Sequence, residues 1–328
     1  MEQMELESLL SLIKKDLQRV EDELEERSYL IESKLISRVY RHTFKAGGKR
    51  LRPALLLLSA KVGGKSSGEA IRLASMMEII HLASLIHDDV VDSSSLRRGN
   101  PSANSIWGNR TSVLSGDYLL SLVFSRLTQE KRIDVLPVLK LLSSAVKQMC
   151  EGEIIQINAN QEQMSESLYL KMIKKKTASL FSACCEIGAK LGGAESSVIE
   201  SLDKYGLNLG VAFQLTDDLL DLTSTKKTLG KPSGSDLDTG KATLPLLRAL
   251  KVCDYDSKVK LKGLLKKRGK ENIKQIVSLL EEHNALDYTR YKAWVYSRRA
   301  KESLKVLPES RAKRALSLLS DYVREREY

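Results

Sequence analysis

No proline lies between Pro137 and Pro232, and the 328-residue chain has six in all. A proline inside a helix removes a hydrogen bond and clashes with the preceding turn, so so long a stretch without one leaves helix as the natural conformation. Leu, Ala, Lys, Glu and Ser are plentiful, and aromatic residues make up only 5% of the chain. No segment sustains a two-residue apolar alternation, whereas a 3.6-residue period recurs. The sequence therefore predicts an all-α fold without a sheet, long enough to bury a substantial core.

Amphipathic helices are expected over 4–45 (one or two), 53–62, 69–92, 111–128, 134–161, 165–193, 195–223, and from 244 to the end. Polar segments separate them: GGKRLRP at 47–53, GGKSSG at 63–68, SSSLRRGNPSANSIWGN at 93–109 and KKTLGKPSGSDLDTGKAT at 226–243. Nothing in composition or repetition forces a boundary, so residues 1–328 read as a single domain. The start, MEQMELESLLSLIKKDL, is acidic and amphipathic, unlike a signal sequence. The longest apolar run, Ala54–Leu58, is far short of the about 20 residues a bilayer span needs. Cys150, Cys184, Cys185 and Cys253 have no metal-site spacing, and adjacent Cys184 and Cys185 are poor disulfide partners. These features point to reduced core thiols in a cytoplasmic protein.

The net charge of +11 suggests anionic partners: nucleic acid, a membrane surface or phosphorylated metabolites. Nucleic acid is disfavoured, because no aromatic–basic interleaving or recognition motif is present.

Two acidic clusters narrow the choice. HLASLIHDDVVD (81–92) places Asp88, Asp89 and Asp92 at the end of an apolar helix, and QLTDDLLDL (214–222) repeats the spacing with Asp217, Asp218 and Asp221. One DDxxD arises by chance in about one chain in twenty of this length, and two far more rarely. Residues i and i+4 share a helix face, so Asp88 projects with Asp92 and Asp217 with Asp221. Like charges at that spacing destabilise a helix by roughly 0.2–0.5 kcal/mol, and in a cavity they raise each other's pKa. The first cluster has no Lys or Arg one turn on to pair it. Hard oxygen donors without a companion His or Cys set suit Mg²⁺, which keeps several waters and completes its shell with substrate phosphates. The plainer alternative is two solvated acidic helix caps. A second copy, each followed by a basic Gly/Ser loop, favours a metal-bridged polyphosphate.

Basic residues recur beside these clusters. Lys49, Arg50 and Arg52 flank a Gly-Gly turn; Arg97 and Arg98 follow the first cluster; Lys231 and Lys241 follow the second; Lys176-Thr177 lies on a helix between. Arg offers bidentate phosphate contacts and Lys a point charge. Lys174, Lys175, Lys226 and Lys227 read as solvated surface. His81, seven positions before Asp88, shares its stripe. Gly64-Lys65-Ser66 resembles the end of a P-loop, but Ser59 stands where the first glycine is required. Asp236 and Asp238 lack the EF-hand spacing.

Assembled, the segments GGKRLRP, HLASLIHDDVVD, LRRG, GDYLL, EGEIIQ, KTASLF, QLTDDLLDL and GKPSGSDLDTGKATLP resemble, in order and over nearly the whole chain, the trans-type isoprenyl diphosphate synthases. The resemblance implies an isoprenoid synthase fold, a helical bundle around a deep central cavity, usually homodimeric, with the two acidic motifs facing across its mouth. It implies Mg²⁺, three ions with substrate bound, with Asp88, Asp92 and Asp217 as direct ligands and Asp89, Asp218 and Asp221 in support. The acids would then lack protein partners because their partner is metal bound to substrate. Arg97, Lys176, Lys231 and Lys241, with Gln214 nearby, would hold the allylic diphosphate. Lys49, Arg52, His81 and Arg98 would hold isopentenyl diphosphate, and Thr177 would help stabilise the carbocation. The serine run 93–95, where the family often has an acidic residue, reads as a change of loop polarity only.

In this family bulky residues four and five positions before the first motif stop elongation. Here those positions are Ser84 and Ala83, roughly 6–8 Å below Asp88 at 1.5 Å rise per residue, with Ile80, Met77 and Met76 deeper still. The small pair implies a long product of the heptaprenyl or octaprenyl type, for a quinone side chain, and a peripheral membrane contact for its release. A short-chain farnesyl or geranylgeranyl synthase, and the catalytic subunit of a heteromeric synthase, are the alternatives. A terpene cyclase fits less well with GGKRLRP and two intact motifs, and a non-catalytic subunit fits less well with six retained carboxylates.

Overall fold

A computed structural model describes residues 10–64, 68–159, 163–223, 234–266 and 270–325. The order is α1 (Lys14–Leu30), α2 (Lys34–Lys45), α3 (Leu51–Val62), α4 (Gly68–Val91), β1 (Leu96–Arg97), β2 (Asn100–Pro101), α5 (Ala103–Thr128), α6 (Val135–Asn158), α7 (Glu166–Ile173), α8 (Ser179–Leu191) and α9 (Ser196–Thr223). Then come α10 (Leu244–Val252), α11 (Tyr255–Lys266), α12 (Lys270–Glu282), α13 (Ala285–Ser303) and α14 (Arg311–Glu325). The all-α class predicted from the sequence holds.

Three local predictions need correction. A two-residue antiparallel ladder pairs Leu96 with Pro101 and Arg97 with Asn100. Its turn residues, Arg98 and Gly99, have φ of 51° and 80°, the doubly left-handed turn that matches strand twist. So short a ladder leaves no alternation to read. The segment 93–109 is also not all loop. Helix α5 begins at Ala103 and kinks at Gly108, where φ is 80°. Finally, the predicted helix 165–193 is interrupted by a π-helical turn, Lys174–Ala178.

The core is continuous from α1 to α14. Leu24, Tyr40, Leu55, Leu56, Leu58, Phe181, Leu202 and Leu316 are among its fully enclosed residues. Helix α9 lies between α8 and α13, α3 packs on α8, and α5 packs on α4. Helix α4 is buried on nearly every side, including Leu73, Met76, Met77, Ile79, Ile80, Leu82, Ala83 and Ile86. By length and composition it could cross a membrane, which the short apolar run at 54–58 does not suggest, yet 72% of its most apolar window is buried inside the protein. A second cluster joins Leu219 and Leu222 of α9 to Leu246, Leu261, Ile276, Leu280 and Leu286 of the helices that follow. It anchors the back of the second acidic motif.

Leu56 is fully buried in the larger core. Leu56→Ala is expected to lower the unfolding free energy by about 2–5 kcal/mol, read from urea denaturation.

Candidate active site

Both acidic triplets sit at helix ends. Asp88 and Asp89 close α4, and the Asp92 amide donates to the Asp88 carbonyl at 2.8 Å. Asp217, Asp218 and Asp221 lie in the last two turns of α9. Asp88, Asp92 and Asp217 are partly exposed, while Asp89, Asp218 and Asp221 are buried.

Two lysines link the triplets. Lys241 Nζ lies 2.7 Å from Asp92 Oδ2 and 3.8 Å from Asp236 Oδ1. The Asp236 amide in turn donates to Asp221 Oδ2 at 3.0 Å. On the other side, Lys176 Nζ is 3.9 Å from Asp88 Oδ1, pairs with Glu153 and reaches Gln156 Oε1 at 3.3 Å. Its neighbour Thr177 donates to Gln214 Oε1 at 2.8 Å, and Gln214 Nε2 donates to Asp218 Oδ1 at 2.9 Å. The Tyr169 hydroxyl donates to the second Asp218 oxygen. The Arg52 guanidinium is within electrostatic reach of both Asp217 and Asp88. The fold thus brings the two triplets together.

The view that the acids lack protein partners needs correction. Asp89 pairs with Arg97, Asp92 with Lys241, and Asp88 lies beside Lys176. Lys176 and Lys241 come from distant segments, and Arg97 reaches back from eight residues on, so one-turn spacing hides all three. Burial raises the pKa of Asp89, against the lowering effect of Arg97. Burial opposes the charge on Lys241, but Asp236 and Asp92 hold its pKa above the usual lysine range. Among the described residues no three His, Cys, Asp or Glu side chains gather closely enough to hold a metal ion by themselves.

Lys176 and Thr177 owe their placement to the π-helical turn. An extra residue in a helical turn re-aims the side chains on it, and such turns recur at functional sites. Helix α6 approaches this turn at Gly152, where an added Cβ would stand 2.5 Å from the Lys176 backbone nitrogen. That contact explains the glycine in EGEIIQ. Lys175 is not bare surface; it pairs with Glu151.

The remaining predicted residues divide in two. His81, Arg52, Arg97 and Arg98 come together: burial, then the charges of Arg52, Arg98, Arg97 and Arg50, push the His81 pKa well down, so the ring is neutral. Arg52 stacks on Phe181, 4.9 Å from its ring centre. Lys49, on the adjoining Gly-Gly turn, is exposed and lies 5.5 Å over the Tyr322 ring. Ala83 is fully buried, and the Ser84 hydroxyl folds back onto the His81 carbonyl at 2.8 Å. Lys231 lies outside the described residues.

The serine run 93–95 does more than set polarity. The Ser94 amide donates to the Asp89 carbonyl at 2.9 Å, and Ser102 Oγ donates to the Ser94 carbonyl at 2.6 Å. Ser95 O accepts from the Ser102 amide at 3.0 Å. The run folds the hairpin back over the first motif. Sequence reasoning also misses Glu153, Gln156 and Tyr169 as partners of the site. EGEIIQ holds the first two among its quoted residues; nothing in the spacing singles out Tyr169, which is 49 residues from Asp218.

Burial and neighbouring Asp236 push Asp218 up to about 8 from the ordinary 3.8. A raised carboxyl pKa contributes fully to stability below 3.8 and loses that contribution as pH rises to about 8. With EDTA present, Asp218→Asn is expected to benefit the melting temperature more at pH 8 than at pH 5. Equal shifts at the two pH values, in a thermal melt, would contradict the assignment.

Comparison with known proteins follows the same lines. A polyprenyl synthetase family profile matches residues 33–282. The short chain isoprenyl diphosphate synthase of Methanothermobacter thermautotrophicus is 34% identical over 322 residues, 98% of this chain and 99% of that protein. Heptaprenyl diphosphate synthase component 2 of Bacillus subtilis is 34% identical over 327 residues, 99% of this chain and 92% of its own. A Caulobacter crescentus polyprenyl synthase, crystallised with calcium and isoprenyl diphosphate, superposes with a TM-score of 0.92 at 35% identity, covering 98% of each chain. Profile, sequence and fold agree: the chain belongs to the polyprenyl synthetase family, whose enzymes transfer prenyl groups.

Proposed function

We propose that this chain is a Mg²⁺-dependent trans-polyprenyl diphosphate synthase that condenses isopentenyl diphosphate with an allylic diphosphate, head to tail, to a long-chain product. The observation that carries the reading is the pair of acidic helix ends tied together through Lys176 and Lys241. The family uses a divalent metal. The donor set here fits Mg²⁺, since it is all oxygen and its partly exposed members are Asp88, Asp92 and Asp217. Those three would hold the metal, while Asp89, Asp218 and Asp221, which are buried, orient the ends of their helices. When bound, the metal neutralises charge on the departing diphosphate.

The protein's own groups supply the rest. Lys176, Lys241, Arg97 and Lys231 hold the allylic diphosphate and stabilise the charge that develops as the C–O bond ionises. Thr177 donates its proton to Gln214, so its oxygen lone pairs are available to a developing carbocation. Lys49, Arg52, Arg98 and neutral His81 hold isopentenyl diphosphate, whose double bond attacks the cation. A proton is then lost to the departed diphosphate. An apolar interior excludes the water that would quench the cation.

Ala83 and Ser84 support a long product. Neither side chain offers bulk, and below them Ile80, Met77 and Met76 are buried in the body of the protein. Relatives include a short chain synthase as well as a heptaprenyl component, so a short product and a heteromeric catalytic subunit are the competing readings. Exposed Val113 and Leu114 on α5, with Leu136 and Ile154 on α6, support a homodimer, and four free cysteines support a cytoplasmic location, with peripheral membrane contact serving product release.

The purified chain, given Mg²⁺, isopentenyl diphosphate and farnesyl diphosphate, is expected to yield heptaprenyl- or octaprenyl-sized products on reversed-phase chromatography. No turnover by the chain alone would point to a missing subunit. Asp88→Ala should reduce kcat at least about 100-fold, the scale of losing a transition-state charge contact. Ala83→Tyr or Ser84→Phe should shorten the product, and unchanged lengths in both would sink the tunnel assignment.

A further inference from the structure

The diphosphate-binding groups named above leave the buried carboxylate of Glu78 without a role. Glu78 lies on α4, one turn before His81. Its side chain is 3% exposed. A carboxylate so enclosed is costly unless cations and hydrogen bonds compensate it. Arg50 Nη1 donates to its Oε1 at 3.0 Å. The opposite edge of the same guanidinium donates to both carboxylate oxygens of Glu21 on α1. Arg50 is therefore gripped from two sides, with the Phe44 ring 5.0 Å from its guanidinium carbon. Its backbone holds a left-handed φ of 49°, uncommon outside glycine, between Lys49 and the start of α3.

The Arg98 guanidinium crowds the same place, and that of Arg52 lies within electrostatic reach of it. A Cβ built on Gly48 would stand 2.9 Å from Arg98 Nη1 and 3.0 Å from Arg50 Nη1, so both converge over bare backbone. Burial lowers the pKa of Arg98 and of Arg52, and in each case the Glu78 carboxylate is the largest opposing influence. Left alone, three such cations repel.

We propose that Glu78, backed by Glu21, is a positioning residue for the isopentenyl diphosphate pocket: it gathers Arg50, Arg52 and Arg98 against their mutual repulsion, so that Lys49, Arg52, His81 and Arg98 stand preassembled when the diphosphate arrives. The inference rests on the condensing reading above. Preorganisation lowers the cost of ordering side chains at binding. Simple charge counting makes the opposite prediction, because removing an anion beside an anion site should tighten it. The two accounts differ in sign.

Glu78→Gln keeps volume and removes charge. Its KM for isopentenyl diphosphate is expected to rise about tenfold, on the scale of one lost charge-assisted hydrogen bond. The allylic KM and kcat should change less than about twofold. Glu21→Gln, at a position 34% exposed and so tolerant of change, should raise the same KM about threefold. An unchanged or lower isopentenyl KM in both variants overturns the proposal. So does an equal loss in every kinetic parameter together with a lower melting temperature, which marks a merely structural ion pair. If Glu78→Gln does not fold, Glu21→Gln decides by the same criterion. A wild-type chain that turns over while the variant KM stays fixed overturns this inference alone. A wild-type chain that consumes no isopentenyl diphosphate with either primer overturns the condensing reading with it.

Discussion

Six carboxylates at the ends of two helices coexist only if cations reach them from elsewhere in the chain. Like charges one turn apart work against their own helix. Here the relief comes from Lys241, 149 residues from Asp92, and from Lys176 on a helix between the motifs. Each lysine touches one triplet and is connected by a short polar path to the other: Asp236 to Asp221 in one case, Thr177 and Gln214 to Asp218 in the other. The rest of the architecture holds these two paths in place.

That support is apolar. The back of the first motif is α4, a helix buried on nearly every side, whose lower turns carry Met76, Met77 and Ile80. The second motif rests on Leu219 and Leu222, which pack into a separate cluster with the helices after residue 244. Rigid backing matters because charged groups aimed at a phosphate are effective only when their positions are set beforehand. The buried Tyr169 and half-buried Glu153 serve the same end, since neither acid nor lysine is left to find its own rotamer.

Much of this was readable from the residues. The helix predicted at 195–223 is found at Ser196–Thr223, and that at 69–92 is found at Gly68–Val91. Both are long, proline-free segments rich in apolar residues, the kind whose existence and type are most legible in a sequence. The segment 93–109 defeated it because Ser, Gly, Asn and Pro signal a loop, while a two-residue ladder and a helix starting at Ala103 are set by folding back onto Asp89 and Ser94. Within the site, the residue types and their order singled out the acids, and Arg97, Lys176 and Lys241, which the fold gathers beside Asp89, Asp88 and Asp92. The pairings stayed hidden, because Arg97 with Asp89, Lys241 with Asp92 and Arg50 with Glu21 and Glu78 are products of tertiary folding.

The π-helical turn at Lys174–Ala178 carries a last consequence. Each residue of an α-helix advances the chain by about 100° around the axis. Excising a single residue there would let α7 and α8 fuse into one regular rod and rotate everything upstream by that amount. The ammonium now beside Asp88 would sweep away from it, while Tyr169 would lose its hold on Asp218. The irregular turn thus acts as a phase adjuster, keeping two faces of one helical segment in step with two different acids.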